Sequence, residues 1–98
     1  MIEDLKEAIL QKIGPAAMYE QLAEECAELA QAALKLARIE RGENPTPKTR
    51  EQAWADFLEE TADVELVLAQ IPRTMADFDA IRETREKKKQ RWKERLGI

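Results

Sequence analysis

The chain has 98 residues, 37% of them charged, a net charge of −4 and no histidine. The missing histidine excludes His-ligated zinc, Glu-x-x-His di-iron bundles and a histidine general base. The single Cys26 excludes an intrachain disulfide and a cysteine zinc cluster.

Helix formers such as Ala, Leu, Glu, Lys, Arg and Gln dominate, and no segment alternates like a strand. This predicts one all-α domain spanning residues 1–98, with a real but modest core that a partner subunit would complement. No apolar run approaches the roughly 18 residues of a membrane span, and no signal peptide opens the chain. The expectation is a soluble cytoplasmic protein without a membrane partner.

Ile2, Leu5, Ile9 and Ile13 recur at helical intervals, which predicts a short amphipathic first helix ended by Gly14. Pro15 suits the first turn of the next helix. That second helix is predicted over Ala16–Arg41, with Leu22, Cys26, Leu29, Ala33 and Leu36 as one narrow apolar stripe. Cys26 then reads as an inert buried thiol. At 100° per residue, Glu25 lies about 60° from Leu22, Gln21 about 100° and Glu28 about 120°. Lys35 lies slightly further round. Gln21, Glu25, Glu28 and Lys35 thus share a face bordering the core, while Glu24 points to solvent.

Turn residues make Gly42-Glu43-Asn44-Pro45-Thr46-Pro47 a loop. Thr49 with Gln52 reads as a capping box opening a third helix. Trp54, Phe57, Leu58, Thr61, Val64, Leu68 and Ile71 form its predicted buried side, with Glu60 and Asp63 on the flank. Trp54 reads first as packing in the core or an interface, and second as a stacking platform for a base. From Val64 to Ile71 the helix is apolar nearly all round apart from Glu65, which suggests burial on more than one side, as in a subunit interface. Pro72 stops it. Thr74 with Asp77 caps a fourth helix running to about Leu96. Its apolar residues are few: Met75, Phe78, Ile81 and Trp92. The expectation is that it packs on a neighbouring helix or another subunit. Residues 82–95 carry eight Lys/Arg against three Glu, a net +5, so a chain of net −4 holds −9 elsewhere. The acidic body argues against nucleic acid as a partner. The basic helix could contact phosphates or complement the acidic face.

Glu25/Glu28 and Glu60/Asp63 are carboxylate pairs three residues apart, each pair on one helical face. Packed face to face, the two helices would bring four carboxylates together. Such a set suits hard divalent ions, Mg²⁺ with Mn²⁺ as a substitute, which could clamp a triphosphate and activate a water. The bland alternative is solvated surface charge.

Glu24-Glu25-Cys26-Ala27-Glu28 followed by Glu60-Thr61-Ala62-Asp63 resembles the E-E-x-x-E … E-x-x-D signature of MazG-like nucleotide pyrophosphohydrolases, within the all-α NTP pyrophosphatases. The likeness covers about residues 15–96. It implies a four-helix bundle-like fold made of a short N-terminal helix, two long core helices and a basic C-terminal helix. The implied assembly is a homodimer or a dimer-of-dimers tetramer. The implied activity is Mg²⁺-dependent hydrolysis of a nucleoside triphosphate to monophosphate and pyrophosphate. Carried over, Glu25, Glu28, Glu60 and Asp63 are the metal ligands and catalytic set. Gln21 matches a glutamine often found one turn earlier and is carried over as a substrate contact. Lys35 falls where the family often places a substrate contact. Lys88, Arg91 and Arg95 resemble basic residues that hold phosphates, sometimes across the dimer. The chain departs from the pattern in its long gap between Glu28 and Glu60 and in Glu65, where an apolar residue is more usual. Alternatives are phosphoribosyl-ATP pyrophosphohydrolase of the same superfamily and a non-catalytic helical interaction protein.

Overall fold

Four helices follow one another in the computed structural model: α1 (Ile2–Ile13), α2 (Pro15–Arg41), α3 (Arg50–Gln70) and α4 (Met75–Leu96). Residues 2–43 and 47–98 are described, with side chains from Leu5 onward. Ile2 of the expected apolar stripe, as a side chain, and Asn44-Pro45-Thr46 of the expected loop lie outside the described residues. No described helix is long and apolar enough to cross a membrane.

Local chemistry sets the ends of these helices. Gly14, at φ 86°, separates α1 from α2 in a conformation that a side chain would strain. Pro15 then occupies the first turn of α2, where no N–H is needed. Gly42, at φ 67°, closes α2 with its N–H donating to the Ile39 carbonyl, and the Glu43 N–H donates to that of Arg38. Both predicted capping boxes form. The Gln52 N–H donates to Thr49 Oγ1 at 3.1 Å, and the Thr49 N–H donates to Gln52 Oε1 at 2.9 Å. Thr74 and Asp77 repeat the arrangement at 3.1 and 2.8 Å. These bonds hold the Asp77 carboxyl below its usual range, through the Thr74 backbone N–H first and its hydroxyl second.

The core is an antiparallel α2–α3 pair. Glu40 meets Arg50 beside the connecting loop, with Arg50 Nε 2.6 Å from Glu40 Oε1, and the carboxylates of the two mid-helices meet at the level of Glu28 and Glu60. α1 packs across the far end of both helices. There the buried Gln70 reaches Lys6, its Nε2 donating to the Lys6 carbonyl at 3.0 Å. Met18, Ala32, Ala53 and Val67 are the buried apolar side chains. In so small a core each matters. Met18 is 2% exposed, and Met18→Ala is expected to destabilise the fold by about 3 kcal/mol, the usual scale for truncating a buried methionine. Urea denaturation followed by circular dichroism checks it.

The helix faces are rotated from those the apolar pattern suggested. On α2 the line turned inward is Met18, Leu22, Glu25, Leu29, Ala32 and Leu36. Cys26, expected to be a buried thiol, is exposed, and so is Ala33. Apolar ranking places Cys above Glu, but a single α2–α3 interface admits only one edge of the stripe. The edge it takes contains Glu25. On α3, Phe57, Thr61, Val64, Leu68 and Ile71 are half-buried as expected. Trp54 and Leu58, assigned to the buried side, are instead 45% and 49% exposed, and the residues that are buried there are Ala53, Val67 and Gln70. Leu66 is exposed as well, so within this single chain the apolar segment is covered on one side.

Among the described residues α4 packs on none of the other helices. The Arg73 guanidinium, just before α4, lies 4.6 Å above the Phe78 ring. The shape reflects this. The radius of gyration is 17.4 Å, against about 13 Å for a compact chain of this length. The exposed surface is 8108 Å², against about 5,700 Å² for a compact protein of this mass. The single protomer is all-α, but its bundle is three helices and its fourth stands apart.

Candidate metal centre

The rotation of α2 brings the carboxylates together. Glu25 lies in register with the buried Met18 and Ala32, one heptad from each, and faces α3. Glu28 is one turn on. Glu60 and Asp63 come from the matching level of α3, between the buried Ala53 and Val67. One oxygen from each of Glu25, Glu28, Glu60 and Asp63 lies within 4.8 Å of the other three. Glu25, Glu60 and Asp63 are half-buried, and Glu28 opens to solvent. Glu24 and Glu59, on the outer faces, are exposed and stand outside the cluster.

Among the described residues no Lys or Arg forms an ion pair with any of the four. Instead the carboxylates act on one another. Partial desolvation, then the charge of Glu28, a hydrogen bond with Glu28, and the charges of Asp63 and Glu25 hold the Glu60 carboxyl above its ordinary value. Glu25 Oε2 and Glu60 Oε2 are shut off from solvent and have no hydrogen-bond partner. Buried polar atoms are nearly always satisfied, and an orphaned carboxylate oxygen calls for an ion or a water. The donor set fits a hard divalent cation. It is all oxygen, and Mg²⁺ at roughly 2.1 Å from each ligand spans about 4.2 Å between opposite ligands. The observed spread is therefore within small side-chain adjustments of one ion.

Gln21, expected as a substrate contact, meets the first carboxylate of the cluster. Its Nε2 donates to Glu25 Oε1 at 2.8 Å, one turn along α2. This bond fixes the Glu25 carboxylate from behind, as outer partners of metal ligands commonly do. Gln21→Ala is expected to weaken Mn²⁺ binding by about 10-fold or more while leaving the fold intact, since Gln21 is exposed. Calorimetric titration with Mn²⁺ measures it.

Beside the carboxylates a cleft of about 370 Å³ runs between α2 and α3 toward their connecting loop. Glu28 and Glu60 border it, Ala32 and Ala53 floor it, and Lys35 stands on its wall. The structure thus places Lys35 in the same cleft as two of the carboxylates. Lys88, Arg91 and Arg95 are not brought there. They sit on α4, exposed, and do not line the cleft of their own protomer. Trp54 does not line it either; its ring stacks on Phe57, with centroids 5.3 Å apart. Among the lining residues that escaped the sequence reading are Gln31, Lys48, at the end of the loop, and Asp56, with which Lys48 forms an ion pair. Lys48 precedes the Thr49 cap and belongs to no periodic pattern, so no helical wheel includes it.

No protein-family model matches the chain, and neither does any curated protein or solved structure with which it was compared.

Proposed function

We propose that the protein is a Mg²⁺-dependent nucleoside triphosphate pyrophosphohydrolase of the MazG-like kind. The observation that carries this reading is the convergence of Glu25, Glu28, Glu60 and Asp63 on one point, with two buried carboxylate oxygens that have no protein partner. The same four residues carry the resemblance to that family.

In this reading Glu25, Glu28, Glu60 and Asp63 hold the metal. Bound Mg²⁺ supplies neutralisation of the phosphate charge and a lowered pKa for the attacking water. The reaction is hydrolysis: water adds to the α-phosphorus, the α–β anhydride bond breaks, and pyrophosphate leaves with the nucleoside monophosphate as the other product. Gln21 orients Glu25. Lys35 meets the anionic substrate from the cleft wall. Charge neutralisation by fixed groups is the main contribution a protein makes to such a reaction.

Two or four copies complete the molecule. The isolated protomer exposes roughly 2,400 Å² more surface than a compact chain of its mass. Leu34, Trp54, Leu58, Leu66, Phe78 and Ile81 are among its exposed large apolar side chains. Docking of the basic α4 against the acidic body of another copy would cover such surface and bring Lys88, Arg91 and Arg95 toward a partner's cleft. Sedimentation equilibrium tests the assembly.

The function is tested by pyrophosphate release from a panel of ribo- and deoxyribonucleoside triphosphates and phosphoribosyl-ATP, with Mg²⁺. Release from at least one of them, abolished by chelator, is expected. No turnover on the whole panel overturns the reading. The exposed apolar faces then favour the alternative, a helical interaction protein without catalysis.

A further inference from the structure

We propose that Lys48 is a phosphate-binding residue of the cleft, held on Asp56 until a diphosphate group enters and takes it over. This rests on the reading of the cleft as a substrate site and adds a residue that the family signature does not include.

Lys48 and Lys35 are the two lysines that line the cleft, one from each side of it. Lys35 rises from α2, seven residues and about 10 Å along the axis beyond Glu28. Lys48 comes from the segment that leads into α3. Its ammonium group pairs with Asp56, which is one turn before Glu60 on α3. Asp56 is thus the fifth carboxylate of this region, and it differs from the other four in having a lysine partner.

The pair is open to exchange. The Lys48 and Asp56 side chains are 43% and 37% exposed. An ion pair that exposed is weak, because water screens it. Releasing the lysine leaves the Asp56 carboxylate in contact with solvent, so no charge is stranded. The lysine is a point charge with three donors on a long flexible stem, which can turn without moving the backbone. A diphosphate offers it more charge and more acceptor oxygens than one carboxylate does. Pairing with Asp56 also keeps the ammonium at the cleft and out of the carboxylate cluster, where it would compete with a cation.

Inorganic pyrophosphate in the presence of Mg²⁺ is the probe, titrated calorimetrically into the full chain and three variants. Lys48→Ala is expected to weaken pyrophosphate binding by about 10-fold or more, the scale of one lost charge-assisted hydrogen bond. Lys48→Arg is expected to restore part of it. Asp56→Asn is expected to leave binding unchanged or tighter, since it removes a carboxylate that competes with phosphate for the lysine. A purely structural pair, fastening the loop to α3, predicts equal losses in Lys48→Ala and Asp56→Asn. Equal losses therefore overturn the proposal, as does an unchanged affinity in Lys48→Ala or a wild-type chain that binds no pyrophosphate. Mn²⁺ titrated without any anion reads the carboxylates alone. Normal Mn²⁺ binding beside an indifferent Lys48 removes this proposal and leaves the metal reading standing. No Mn²⁺ binding removes the metal reading, and pyrophosphate affinity still decides Lys48.

Discussion

Glu28→Gln is expected to lower nucleotide hydrolysis by at least about 100-fold with the fold unchanged. Glutamine keeps the size and shape of the side chain but removes the charge and replaces a carboxylate oxygen by a weaker amide ligand. Losing an outer-shell partner of a metal ligand commonly costs 10- to 100-fold in activity; losing a ligand should cost no less. Glu28 is exposed and packs no core, so stability does not confound the result. It also presses on Glu60 by charge and by a hydrogen bond, so its neutralisation relieves strain in the metal-free protein. Glu24→Gln is the matched control. Glu24 is an exposed glutamate four residues away on the same helix, outside the cluster. Its substitution should leave turnover near wild type. Steady-state pyrophosphate release compares the two. Similar losses would mean that acidic surface charge, and not ligation at one point, supports the activity.

What was legible in the sequence was local. Pro15 after Gly14, Gly42, and the Thr49/Gln52 and Thr74/Asp77 pairs mark helix ends through bonds spanning three or four residues, and each end lies where it was read. The carboxylate pairs were also legible, because three-residue spacing on a helix places two side chains on one face whatever packs against it. The rotation of the helices was not. It depends on which side of a narrow stripe meets α3, and hydropathy alone favoured Cys26 over Glu25. The face that packs on α3 nevertheless carries Glu25, at the level of Glu60 and Asp63. A burial that looks unfavourable for one glutamate belongs to a site of four carboxylates.

Other features were illegible because they are not helical. Lys48 reaches Asp56 across a loop–helix junction, eight residues apart in sequence. Gln70 meets Lys6 across 64 residues. The standing of α4 is a third case. Its few apolar residues said that it covers little, and within the protomer it covers none of the other helices. A helix so exposed, with Trp92 at 66% exposure, takes no packing from the other described helices of its own chain.

Divalent metal is expected to raise the melting temperature by about 10–20 °C at a concentration near 100 times its Kd. Binding only to the native state contributes about 2.7 kcal/mol at that ratio, and a domain of this size shifts by roughly 4–8 °C per kcal/mol. The size of the rise should depend on pH. Glu60 holds its proton to higher pH in the folded chain than in the unfolded one. Above the ordinary glutamate value the unfolded chain has therefore already released a proton that the fold retains. Stability of the metal-free protein falls as pH climbs through the raised Glu60 value, and levels off once the folded carboxylate is ionised. Metal binding runs the other way, because it requires deprotonated ligands. The metal-induced rise should accordingly be larger at pH 8 than at pH 5. Glu60→Gln separates the two effects. Without metal it should melt above wild type at pH 8, since it removes one of four mutually repelling charges. With Mn²⁺ it should lose most of the rise. Thermal melts at fixed protein concentration, with and without Mn²⁺ at both pH values, test all four expectations. A wild-type chain indifferent to Mn²⁺ would leave the orphaned oxygens of Glu25 and Glu60 to water, and the cluster would be a charged surface.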